Sequence, residues 1–136
     1  MSKNDWYRRV TWSKADEEEF MARLNRARSD FNKAQYIRIQ ALYLQTEAVP
    51  PLYEESMKLI DMLLDQYPQS YEIANALLQK AQCLENLGNI KQATDAYIRS
   101  LEMDQQTSNI NTRAPLEFAR FVVKQRLKKH YKRAAK

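Results

Sequence analysis

The sequence predicts an all-α protein that forms one domain over residues 1–136, and three observations support this. Gly88 is the single glycine among 136 residues, although glycine makes up about 7% of average proteins. Tight turns, hairpins and phosphate-binding loops depend on glycine, so sandwiches, barrels and dinucleotide-binding folds are not expected. The helix-favouring residues Ala, Leu, Gln, Glu, Lys and Arg are abundant. Apolar residues also recur at spacings of three and four, which is the pattern of one helix face.

Helix boundaries follow from these spacings and from residues that start or stop helices. Ser13 and Asp16 form a capping-box pattern before the first helix, whose apolar face extends as far as Phe31. Prolines at 50, 51 and 68 interrupt helices, and Gly88 suits a helix C-terminal cap. The predicted helices cover residues 14–29, 33–47, 51–66, 70–86, 90–103 and 113–131.

Charge is distributed unevenly along the chain. The net charge of +5 combines +3 in residues 1–46, −6 in residues 47–111 and +8 in residues 112–136. Such asymmetry is typical of a nucleic-acid contact, or of a contact between the unlike parts within one chain or between two copies. Homo-oligomers are therefore one open expectation.

The helices over residues 70–103 resemble a tetratricopeptide repeat. Leu77, Ala81 and Leu84 fit the first-helix pattern of that family, and Ala93 and Tyr97 fit the second. Residues 34–68 resemble a weaker second copy, so two degenerate repeats would occupy residues 34–105. The resemblance implies a short right-handed α-α superhelix of about six antiparallel helices, with N-terminal and C-terminal capping helices.

The same resemblance implies a non-enzymatic scaffold that binds a protein or peptide partner. Members of the family bind partners in a concave groove lined by the first helix of each repeat. An ordinary solvated helix face is the alternative interpretation of these positions. The implied groove residues here are Gln35, Arg38, Leu42, Gln45, Asn75, Leu78, Gln82 and Glu85.

The basic end of the chain, residues 113–136, supports an alternative function as a small nucleic-acid-associated protein. Clustered cations can bind phosphates, although a solvated helix end would have the same composition. Contact with an acidic partner is equally open. The residues concerned are Lys124, Arg126, Lys128, Lys129, Lys132 and Arg133.

Catalysis, metals and cofactors are not expected. His130 is the only histidine and is predicted to be solvated in the basic tail. Cys83 is the only cysteine, so neither a zinc-binding set nor an intrachain disulfide can form. The chain starts without a secretory pattern and has no membrane-spanning apolar run, so a cytoplasmic location is expected.

The aromatic N-terminal segment, residues 1–13, contains Trp6, Tyr7 and Trp12. These residues could form an exposed anchor for a partner. Burial against the first helix pair is the preferred interpretation, because large apolar residues are seldom exposed together on soluble monomers.

Overall fold

The computed structural model describes residues 5–106, 112–126, 130 and 134. Within these residues the chain forms six α-helices and one 3-10 turn, and it contains no strand. The all-α prediction is therefore confirmed. The 3-10 turn covers Asp5–Tyr7, and the helices are α1 (Lys14–Asn25), α2 (Asp30–Thr46), α3 (Tyr53–Gln66), α4 (Ile73–Asn86), α5 (Ile90–Gln106) and α6 (Ala114–Lys124).

Local capping explains where several of these helices begin and end. The Ser13 hydroxyl accepts a hydrogen bond from the Asp16 amide at 3.1 Å, and the Asp16 carboxylate accepts one from the Ser13 amide at 2.9 Å. The predicted capping box is thus present. Gly88 has a φ of 82° in the α4–α5 turn, a conformation in which only glycine avoids strain.

Each helix packs against its neighbours along the chain. α2 contacts α3, α3 contacts α4, α4 contacts α5, and α5 contacts α6. In addition, α2 contacts α4, and α4 contacts α6. The helices α2, α4 and α6 therefore lie next to one another in that order, and we refer to these three helices as the α2–α4–α6 row.

Small side chains lie in the core between the helices. Ala41, Ala81 and Ala93 are fully buried, and alanine at such positions lets neighbouring helices approach closely. Larger residues such as Ile37 and Tyr97, also fully buried, fill the adjacent space. The core extends over two clusters, one around α1–α3 and one around α4–α6.

The three aromatic side chains of the N-terminal segment pack against the core. Tyr7 is buried, and Trp6 and Trp12 are half-buried against the first core cluster. The Trp6 ring lies 5.5 Å from that of Phe20 and 5.0 Å from that of Tyr36. The preferred interpretation of this segment as core is confirmed.

The break between the first two helices lies earlier than predicted. α1 ends at Asn25, and Ser29 caps α2 by accepting a hydrogen bond from the Asn32 amide at 3.2 Å. Phe31 consequently lies in the first turn of α2 and is 58% exposed. Its predicted place on the apolar face of the first helix was wrong, because the N-cap at Ser29 sets a new helix and a new register.

The last helix is shorter than the predicted range of residues 113–131. α6 ends at Lys124, and Arg126 has a φ of 56°, which breaks the helical path. His130 is half-buried, with its ring 6.1 Å from that of Phe118. The prediction that His130 is solvated was therefore wrong, since its ring lies against Phe118 of α6.

Candidate functional site

The candidate site is the α2–α4–α6 row, which contains all eight residues of the implied groove. Gln35, Arg38, Leu42 and Gln45 lie on α2, and Asn75, Leu78, Gln82 and Glu85 lie on α4. Because α2 contacts α4, the two sets come from adjacent helices. The eight side chains nevertheless differ in burial and in their hydrogen-bond partners.

Arg38 joins α2 to the start of α4. Its guanidinium forms an ion pair with Glu72 and donates a hydrogen bond to the Gln79 side chain at 3.0 Å. Gln79 in turn donates to the Arg38 carbonyl at 3.1 Å. The Arg38 side chain is 20% exposed, so its guanidinium mainly stabilises the contact between α2 and α4.

Gln45 is buried where α2, α3 and α4 meet. Its amide nitrogen donates to the Gln79 carbonyl at 3.3 Å, and its amide oxygen accepts from the Cys83 thiol at 3.2 Å. The Ser56 hydroxyl of α3 lies 3.0 Å from the same amide oxygen and 2.7 Å from the Ala41 carbonyl. A buried amide with these partners fixes the relative position of three helices, so Gln45 is a packing residue.

Cys83 is a structural residue in this contact. The side chain is fully buried, and burial raises the pKa of its thiol to about 12. A thiol with so high a pKa contains almost no thiolate at neutral pH, and the thiolate is the nucleophilic form.

Glu85 connects α4 to α5 and α6, and its side chain is only 7% exposed. Its carboxylate accepts hydrogen bonds from the Tyr97 hydroxyl at 2.7 Å and from Arg120 at 3.0 and 3.3 Å. The Lys124 ammonium lies 3.5 Å away. We refer to Glu85, Tyr97, Arg120 and Lys124 as the Glu85 cluster.

Opposing effects act on the pKa values within the Glu85 cluster. Burial acts to raise the pKa of Glu85, but hydrogen bonds from Arg120 and Tyr97 and the nearby positive charges outweigh it and lower that pKa. The pKa of Tyr97 is raised by burial and by its bond to Glu85. Glu85 is therefore ionised and Tyr97 neutral at physiological pH, which is the pairing that the hydrogen bonds require.

Two further groove residues are also engaged. Leu78 is 6% exposed and belongs to the second core cluster. The Gln82 amide lies 3.4 Å from the Glu117 carboxylate of α6. The predicted residues that remain half-buried and accessible on this surface are Gln35, Leu42 and Asn75.

Sequence reasoning missed the partners that join the row. Glu72, Gln79 and Arg120 bind residues 34 to 41 positions away. No local spacing pattern indicates such pairs. The one available signal was that Gln79 and Gln45 fall on otherwise apolar helix faces, where an amide is buried only if it has partners.

The predicted basic site is described only in part. Lys124 is exposed and lies near Glu85, and Arg126 is exposed beyond the end of α6. The basic helix predicted over residues 113–131 therefore ends at Lys124, and Arg126 lies in the turn that follows it. Lys128, Lys129, Lys132 and Arg133 lie outside the described residues.

Neither metal-binding groups nor membrane spans are found in the described part of the chain. It contains no cluster of three or more His, Cys, Asp or Glu suited to a metal ion. Its helices are all too short or too polar to cross a lipid bilayer.

No protein-family model matches this chain, and neither curated proteins nor solved structures include a significant match.

Proposed function

We propose that this protein is a non-enzymatic scaffold that binds a peptide or protein on the exposed face of the α2–α4–α6 row. The proposal includes a short right-handed superhelix of the tetratricopeptide type, in which α2, α4 and α6 are the first helices of successive units. A cytoplasmic location remains part of the same proposal.

The observation that carries the proposal is the order of helix contacts. In a stack of helix pairs, each first helix contacts its own partner helix and the first helix of the next pair. The contacts of α2 with α4 and of α4 with α6 follow this rule. Repeated first helices in such a stack form one continuous surface, which is the surface that repeat proteins use for binding.

The side chains between these helices favour a preformed surface. Arg38 and Glu85 each join two helices of the row through ion pairs. Binding to a preorganised surface avoids the entropy cost of ordering it. A partner would then contact the accessible residues of the row that take no part in these ion pairs, namely Gln35, Leu42 and Asn75.

A peptide-library selection against the folded protein tests the proposal. Leu42→Glu and Asn75→Lys change accessible positions of the row, and each is expected to weaken the selected peptides at least tenfold. Lys58→Glu on α3 is the matched control, because Lys58 is exposed outside the row. Far-UV circular dichroism checks that each variant keeps its helices.

The competing outcomes are distinct. Peptides that bind Leu42→Glu as well as the parent would place recognition away from the row, and a selection that yields no binder would contradict the scaffold proposal. Fluorescence anisotropy with labelled single-stranded DNA and RNA at two salt concentrations tests the alternative function. Salt-sensitive binding there would support a nucleic-acid role through the basic end of the chain.

A further inference from the structure

A groove of about 340 Å³ lies at the N-terminal end of α2, where the first turn of this helix meets the loop between α3 and α4. Its lining includes Phe31, Tyr67 and Tyr71, together with the Asp30 carboxylate and Pro68. None of the eight groove residues on the row belongs to it. This groove is therefore separate from the surface proposed above to bind a partner.

Two of the three aromatic residues that line the groove are highly exposed. Phe31 is 58% exposed and Tyr71 is 62% exposed, whereas Tyr67 is half-buried and packs against the first core cluster. Burial of the Phe31 and Tyr71 rings in the core would stabilise the fold, so the exposure of these two rings is not explained by folding. Aromatic faces carry partial negative charge and attract cations within about 6 Å of the ring centre.

The charges of the groove have the same sign as the aromatic faces. Among the described residues that line it, Asp30 is the one with an acidic side chain. Burial, and then the charge of Asp30, raises the pKa of Tyr67, so the field of this carboxylate reaches that ring. The C-terminal end of α3 and the N-terminal turn of α2 both border the groove, and their helix dipoles have opposite signs there, so the Asp30 carboxylate is what makes the groove negative.

The loop on one side of the groove is held by its own hydrogen bonds. The Ser70 amide donates to the Tyr67 carbonyl at 3.0 Å, and the Ser70 hydroxyl accepts from the Glu72 amide at 3.0 Å. On the other side, the Ser29 cap fixes the first turn of α2. The aromatic residues are thus carried by anchored backbone on both sides.

We propose that this groove binds an organic ammonium group, with Phe31, Tyr67 and Tyr71 providing aromatic faces and Asp30 the compensating charge. The ligand chemistry is a quaternary or alkylated ammonium. It can come from a free small molecule or from the methylated lysine side chain of a protein. Asp30 would repel an anionic ligand, and an uncharged ligand would lack the attraction between opposite charges.

Titration followed by aromatic NMR tests this proposal with choline and its uncharged isostere 3,3-dimethylbutan-1-ol. Choline is expected to give saturable shifts of the Phe31, Tyr67 and Tyr71 ring signals, with an affinity at least about fivefold above that of the isostere. Equal affinity for the two compounds would overturn the proposal, because it would show apolar binding alone. Absence of saturable shifts would overturn it as well.

Matched variants separate the aromatic contribution from general effects. Tyr71→Leu keeps an apolar side chain without an aromatic face, and its high exposure means that the fold should tolerate the change. We expect about a fivefold loss of choline affinity, whereas Tyr53→Leu, outside the groove, should leave it unchanged. Equal effects of the two variants would contradict the assignment of the site.

A peptide containing trimethyllysine distinguishes the two sources of the ammonium group. Tighter binding of this peptide than of choline indicates a protein side chain as the ligand, and similar binding indicates a small molecule. The peptide with alanine at the same position is the control. If that control binds as tightly as the trimethyllysine peptide, recognition does not involve the cation and the proposal fails.

Discussion

Replacing Glu85 with glutamine is expected to destabilise the fold in a pH-dependent manner. The carboxylate holds α5 and α6 against α4 through Tyr97 and Arg120. In Glu85→Gln the side chain keeps its size and one acceptor oxygen, but it loses its charge and places an NH2 group near the Arg120 donors.

The expected magnitude follows from these contacts. Because the Arg120 side chain is 44% exposed, its ion pair with Glu85 is screened and contributes about 0.5–1 kcal/mol. The charge-assisted bond from the buried Tyr97 adds about 1 kcal/mol. Glu85→Gln should therefore lower the free energy of unfolding at pH 7 by about 1–2 kcal/mol, equivalent to about 3–6 °C in the melting temperature.

The pH dependence has a definite sign. The folded state holds the pKa of Glu85 below its ordinary value of 4.5, so the unfolded chain takes up a proton first as the pH falls. The stabilisation is complete above the unfolded pKa and is lost as the pH falls through the folded pKa. The difference between parent and Glu85→Gln should therefore shrink in acid, since a protonated Glu85 resembles glutamine.

Urea denaturation followed by circular dichroism, at pH 7 and at steps down to the acid transition, measures this difference. Glu18→Gln on the exposed face of α1 is the matched control and should change stability by less than about 0.5 kcal/mol. If the difference in unfolding free energy between the parent and Glu85→Gln stays constant with pH, or is already absent at pH 7, Glu85 is not an ionised residue that connects α4 to α5 and α6. A double-mutant cycle with Arg120→Gln should show that the two effects are not additive.

Three further predictions concern the core. Ala93→Leu should lower the free energy of unfolding, measured in urea, by about 1–3 kcal/mol, because Ala93 is fully buried and a larger side chain overpacks the contact. Asp95→Leu, at an exposed position of the same helix, should cost far less, and equal costs would contradict close packing at Ala93. The Gln40 side chain accepts a hydrogen bond from the Arg9 backbone amide at 3.0 Å and donates one to the Arg9 carbonyl at 2.9 Å. Gln40→Leu should therefore release the N-terminal segment from α2 and shift tryptophan emission to the red. Unchanged emission would show that these two bonds do not hold the segment in place. Cys83, whose pKa is raised to about 12 by burial, should react with Ellman's reagent only after unfolding in urea; rapid reaction of the folded protein would show that the thiol is accessible.

Much of the helical framework is predictable because it depends on local chemistry. The spacing of Ile37, Ala41 and Leu44 predicts the buried face of α2, and the pattern at Ser13 predicts the start of α1. Gly88 predicts the turn between α4 and α5. Each of these signals acts within one or two helical turns, so the sequence alone carries it.

The candidate site was less predictable because its side chains depend on distant partners. Arg38 has the same local surroundings whether it faces a ligand or Glu72, which lies 34 positions away. Gln45 was likewise expected to line a groove, but it is buried among three helices. Phe31 was misassigned because its spacing continues the apolar face of α1, whereas the N-cap at Ser29 begins a new helix before it.

The order of helix contacts also determines how the chain can fold. Each helix packs only against elements one or two places away along the described chain, so the contact order is low and little loop-closure entropy opposes folding. Structure can then begin at one helix pair and spread to the next, without waiting for the two ends of the chain to meet. For the same reason a helix pair could be gained or lost at an end during evolution while the remaining interfaces stay as they are.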